Sequence, residues 1–167
     1  MHGSYRKMPG LLKEQQLLSQ DFIDILSAFS EEEVDYLLVG SYAMAFHGWA
    51  RATGDIDLWI RPSKKNAEKV WRALQKFGAP LFDLNINDLQ TPGMVFQMGM
   101  PPNRIDIITE IDGVSVEEAW KGREFIVMYG LRLPLIGKPD LLINKKATGR
   151  PKDQIDVLWM EGENKVK

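Results

Sequence analysis

A chain of 167 residues with 44% hydrophobic and 26% charged side chains holds one soluble domain and little material for a second. Lys and Arg number 21 against 23 Asp and Glu, a net charge of −2, so no global basic excess announces a nucleic-acid-binding protein. The absence of cysteine removes disulfides, thiol catalysis, zinc knuckles and iron–sulfur clusters, and no apolar run approaches the ~18 residues of a membrane span.

Residues 1–11 mix Gly, Ser, Pro and charge without a period and read as a mobile tail with no signal-peptide core. One cytoplasmic domain is expected over 12–162, with 163–167 as a C-terminal tail. Helical spacing of Leu17, Leu18, Phe22, Ile25, Leu26 and Phe29 predicts a helix from Leu12 to Phe29. Val34–Val39 reads as a buried strand ended by Gly40-Ser41, and Tyr42–Phe46 as a short helix stopped at Gly48. Ile56–Ile60 is a second strand. Ser63 caps a helix to Phe77, and Gly78 stops it. Residues 79–93 carry Asn, Asp and Pro and predict irregular structure. Strands Val95–Met100 and Arg104–Thr109 flank the turn Pro101-Pro102-Asn103. Ser115-Val116-Glu117-Glu118 is a capping box opening a helix to Lys121. A hairpin follows (Phe125–Tyr129 with Arg132–Ile136), then helices Pro139–Thr148 and Pro151–Glu161. Helices and strands mix without strict alternation, which predicts an α+β fold with a mixed sheet flanked by helices.

Asp55 and Asp57 carry the most information. A strand's two-residue period sets both side chains on one face, within ~7 Å. Two such carboxylates repel unless a cation lies between them. Ile56 and Leu58 point the opposite way, into a core. The anionic side is a natural seat for Mg²⁺, which prefers oxygen ligands. Taken alone, Asp-x-Asp reads as readily as a solvated acidic face. Asp106 strengthens the metal reading: it stands between isoleucines on another strand and joins the same face if the two strands are neighbours. Three such carboxylates are what two-metal nucleotidyl transfer requires. Gly40 lets backbone N–H groups approach a phosphate, and the Ser41 hydroxyl either bonds a phosphate oxygen or caps the helix.

The order strand, Gly40-Ser41, helix, a gap from Tyr42 to Gly54, then Asp55-Ile56-Asp57-Leu58 and a later Asp106 resembles the signature of the nucleotidyltransferase superfamily. The run Gly40–Gly48 with Arg51–Asp57, and Lys145-Lys146-Ala147 with Gly149–Asp153 and Asp156, is similar to a small branch of minimal nucleotidyltransferases related to toxin–antitoxin pairs. The resemblance spans roughly 34–160. It implies the DNA polymerase beta-like fold, Mg²⁺ (or Mn²⁺) on Asp55, Asp57 and Asp106, and an NTP donor. It also implies a hydroxyl acceptor on tRNA, protein or a small molecule, and an antitoxin as a partner. A homodimer is a further expectation, since so small a domain gains an acceptor cleft from a second copy.

Arg51 reads as a phosphate clamp or as a partner relieving the acids, and Thr53 as a support for Asp55. His47 reads as a bond to a terminal helix carbonyl or as a neighbour of the nucleotide. Between Lys138 and Lys152 stand five bases against one acid, and Lys145 or Lys146 is expected to reach phosphate. The alternative there is a helix-start network of Arg150, Lys152, Asp153 and Asp156. The tryptophans read as core, except Trp49, which a loop position makes a stacking or lid residue. Aspartyl phosphatases share the Asp-x-Asp spacing but need a small residue where Trp59 stands. Metal-dependent glycosyltransferases share it too, yet use a larger nucleotide domain and leave Gly40-Ser41 unexplained. The remaining alternative is a non-catalytic or partner-regulated nucleotide-binding component of a toxin–antitoxin pair.

Overall fold

The computed structural model describes residues 5–6, 18–49 and 54–166. The elements in chain order are β1 (Tyr5–Arg6), α1 (Gln20–Glu31), β2 (Tyr36–Val39), α2 (Gly40–Phe46), β3 (Asp55–Ile60) and α3 (Lys64–Phe77). A 3-10 turn (Asp88–Gln90) precedes β4 (Val95–Met98), β5 (Arg104–Ile108), α4 (Val116–Lys121), β6 (Glu124–Met128), β7 (Leu131–Leu135), α5 (Lys138–Thr148) and α6 (Pro151–Val166). Seven strands form one mixed sheet in the order β1-β6-β7-β2-β3-β5-β4. The α+β expectation holds, and the helix expected from Leu12 begins, within the described residues, at Gln20. Ser19 is its N-cap, accepting from the Phe22 N–H at 3.3 Å. Within the segment expected as a tail, Tyr5–Arg6 pair with β6 in parallel.

Register explains how the sheet is lined. Antiparallel β2 and β3 set Leu38 opposite Leu58 and Val39 opposite Asp57. Parallel β3 and β5 set Ile56 beside Ile105, Leu58 beside Ile107 and Asp57 beside Asp106. One face of these strands is therefore wholly apolar, with Ile56, Leu58 and Ile107 fully buried. Helix α1 covers this face, its Phe29 ring meeting Tyr36 edge-on at 5.1 Å, and α1 packs on α3. The other face carries the aspartates. Burying a Leu or Ile contributes ~1.5–3 kcal/mol, so the register that hides Ile56 and Leu58 also fixes the direction of Asp55 and Asp57.

Local polar contacts lock the frame around that strand pair. The Ser63 hydroxyl accepts from the Asn66 N–H at 3.2 Å, and Gly78 closes α3 in the left-handed region. The Asn66 side chain accepts from the Asp35 N–H at 2.7 Å and donates to the Asp35 and Arg61 carbonyls, tying α3 to the outer ends of β2 and β3. The capping box at Ser115 and Glu118 forms as expected. At the far end of the sheet, guanidinium groups and rings alternate: Arg132 on Phe125, Arg123 between Phe125 and Trp120, Arg61 on Trp120.

Two readings need correction. Trp159 is not core: it is 42% exposed, and α6 also leaves Ile155 and Leu158 in solvent. Helix α6 runs on to Val166, past the expected end at Glu161. The exposed apolar side chains follow from the face that α6 turns inward, which carries Asp153, Asp156 and Met160.

Candidate active site

The chain turns from β2 into α2 at Gly40, whose φ of +69° favours glycine. A Cβ there would overlap the Asp57 carboxylate, so the turn and the acidic strand touch. Val39 is the N-cap of α2 and makes no side-chain cap bond. The capping role offered for Ser41 is thus absent: Ser41 lies inside the first turn and lines the cleft. The helix begins two residues earlier than expected because Gly40 and Ser41 belong to it.

A cleft of about 290 Å³ collects Gly40, Ser41, Asp55, Asp57, Asp106 and Lys145. These are six of the residues singled out from sequence, drawn from β2–α2, β3, β5 and α5. Lys146 lies elsewhere, its Nζ 2.9 Å from Glu161. Arg51 and Thr53 fall outside the described residues. His47 is buried and donates from Nε2 to the Ile136 carbonyl at 2.6 Å, joining α2 to the end of β7. Trp49 is buried at 2% exposure, with the Lys138 ammonium 5.3 Å from its ring, and does not line the cleft.

Burial pushes the Asp57 carboxyl up to about 7, helped by the neighbouring charge of Asp106, a hydrogen bond with it and the charge of Asp55; Arg104 opposes the rise. A hydrogen bond between two carboxyl groups needs a proton on one of them. Arg104, which sequence reasoning missed, stands in this group. Its Nη2 is 2.7 Å from Asp55 Oδ2 and 3.2 Å from Asp106 Oδ2, and its Nε is 3.0 Å from Asp106 Oδ1. The signal was present: Arg104 and Asp106 are two apart on one strand and share a face.

Lys145 is buried and held between Asp153 (3.1 Å) and Asp156 (2.9 Å). Thr148 donates to Asp153 at 2.6 Å, and Arg150 Nε reaches it at 2.8 Å. Burial would raise the Asp153 carboxyl, but Thr148, Lys145 and Arg150 overcome that and hold it below the usual range. Arg150, Lys152 and Asp153 line the same cleft as the acids.

Among the described residues, no group of three or more His, Cys, Asp or Glu side chains is placed, as it stands, to hold a metal ion. The donors are nevertheless hard oxygens, and the buried Asp55 Oδ1 has no hydrogen-bond partner among the described residues. This set suits Mg²⁺ or Mn²⁺, which bind through one or two carboxylates and complete their shell with water and phosphate oxygens.

No protein-family model matches the chain. No curated protein matches it either. Among solved structures, a Thermotoga maritima protein described as a "putative nucleotidyltransferase (TM1012)" superposes with a TM-score of 0.56 at 15% identity. The match covers 85% of this chain and 91% of that one. This chain has the nucleotidyltransferase fold. In this example of the fold, the acidic strands β3 and β5 are parallel neighbours, and the β2–α2 turn abuts them. A second cavity, about 460 Å³, shares Gly40, Asp57, Asp106 and Arg150 with the first and extends past Val95, Ile108 and Asn144.

Proposed function

We propose that the cleft transfers a nucleoside monophosphate from an NTP to a hydroxyl acceptor, releasing pyrophosphate, with Mg²⁺ or Mn²⁺ as cofactor. The observation that carries this reading is the register pair Asp57 beside Asp106, with Asp55 on the same face and Gly40 against Asp57. In this proposal Asp55 and Asp57 hold the metal and Asp106 completes the site. A bound divalent ion supplies Lewis-acid polarisation of the phosphoryl oxygens. Asp106 takes the proton of the acceptor hydroxyl as its oxygen bonds the α-phosphorus and the bond to the β-phosphate bridging oxygen breaks. Backbone N–H groups at Gly40-Ser41, with the exposed Arg150 lining the same cleft, hold the leaving pyrophosphate, while Lys145, tied to Asp153 and Asp156, supports that wall. The second cavity offers room for the base or the acceptor.

The test is transfer of α-³²P from each of the four NTPs, with Mg²⁺, into total tRNA and into cell lysate. Asp55→Ala/Asp57→Ala runs beside it. Label in RNA or protein that requires both aspartates supports the transferase and names its acceptor class. Mg²⁺-dependent NTP binding without label in any fraction favours a partner-regulated component of a toxin–antitoxin pair. Absence of both NTP binding and label overturns the reading.

A further inference from the structure

Arg104 projects from β5 into the cleft with its side chain 29% exposed, yet it spends three N–H donors on two carboxylates, Asp55 and Asp106. Those are the outer two of the three acids. The guanidinium therefore spans the space across which a divalent ion would draw its oxygens. A planar guanidinium fork matches carboxylate and phosphate equally well, and both kinds of pair are charge-assisted. The same cleft is lined by Lys145, Arg150 and Lys152, with Asp153 among them.

We propose that Arg104 is an exchangeable counter-cation: it competes with divalent metal for Asp55 and Asp106, and transfers its fork to the phosphates of the nucleotide when metal and nucleotide arrive together. The inference rests on the metal-and-nucleotide reading given above. It follows from charge and reach. A metal taken alone must displace a bidentate cation from the acids and leave that cation in a cleft whose other carboxylate, Asp153, is already engaged by Lys145 and Arg150. A metal arriving with a triphosphate brings new anionic oxygens for Arg104 as it takes the old ones. Free metal then binds weakly, and metal and nucleotide strengthen each other.

The experiment titrates Mn²⁺ alone, read by the electron-spin-resonance signal of the free ion, into wild type, Arg104→Met and Arg104→Lys. Calorimetry then measures each NTP at saturating Mg²⁺. Arg104→Met is expected to bind Mn²⁺ about tenfold more tightly and the nucleotide about tenfold more weakly, on the usual strength of a charge-assisted pair. Arg104→Lys, which keeps the charge and loses the fork, shifts both in the same directions by less, and serves if the methionine variant fails to fold. Opposite signs are the signature, because a residue that merely supports the fold moves both affinities downward. Mn²⁺ affinity unchanged or weakened in folded Arg104 variants overturns the proposal while the transferase reading stands. Wild-type protein that binds neither Mn²⁺ nor any NTP overturns both.

Discussion

At the scale of single residues, Asp57 concentrates the electrostatic cost of the site. Its carboxyl keeps a proton up to about 7 in the fold, whereas the unfolded chain releases it near 3.8. Between those values the folded form binds more protons than the unfolded form, so its contribution to stability falls as pH rises and is lost above 7. Under the proposed reading metal binding would need the ionised group and is expected to run the other way, tightening from pH 6 to 8. Asp57→Asn is therefore expected to abolish metal-dependent NTP binding and to melt a few degrees above wild type at pH 8 in EDTA, with the gap closing towards pH 4. Melting curves across that range check it, and a gap independent of pH would refute the assignment. Ser41→Ala gives a cleaner contrast, since Ser41 is no cap. We expect an unchanged melting temperature and NTP affinity weaker by about tenfold to a hundredfold, the usual ~1.5–3 kcal/mol of one hydrogen bond to a charged group.

At the scale of elements, the joint between α5 and α6 depends on a buried lysine. Lys145→Met leaves Asp153 and Asp156 buried without their ammonium partner, and should cost about 3–5 kcal/mol in urea denaturation. Lys146→Ala, losing only an exposed pair with Glu161, should stay within ~1 kcal/mol. Asp153, held below its ordinary range, stabilises the joint above the unfolded value of 3.8 and ceases to as pH falls through its lower folded value. Sequence marked Lys145 as a cation but not as a buried one, because a charge on a helix defaults to solvent and only the return of α6 reverses that. By contrast α3 was legible from Ser63 to Gly78: cap, amphipathic face and stop all lie within the element. Arg104 escaped notice because attention went to the acids, although its spacing from Asp106 assigned it to their face.

At the scale of the whole molecule, the site exists because of a strand order that no local pattern states. Asp57 and Asp106 lie far apart in the chain, with α3, the 3-10 turn and β4 between them, yet β3 and β5 are neighbours. Each strand was readable, and their adjacency was only conditional, because alternation specifies faces and not partners. The resemblance to nucleotidyltransferases implied a third carboxylate on a later strand, and the register sets that residue, Asp106, beside Asp57. Ligand linkage then gives a global readout. Mg²⁺ with a bound NTP at a hundred times its Kd should stabilise the chain by ~2.7 kcal/mol, raising the melting temperature by several degrees. EDTA should cancel the rise, and Asp55→Ala/Asp57→Ala should show none.

The contact between Gly40 and Asp57 has a further consequence, for the protein's history. A methyl group at position 40 would meet the Asp57 carboxylate as well as the unfavourable backbone angle, so Gly40→Ala disturbs two functional parts with one change. The dependence runs one way: position 57 can change under an intact glycine, whereas a lineage that loses the glycine must also move or shorten the acid. A descendant with a side chain at 40 is therefore expected to carry a change at 57 as well, a scar that a single-site survey would miss.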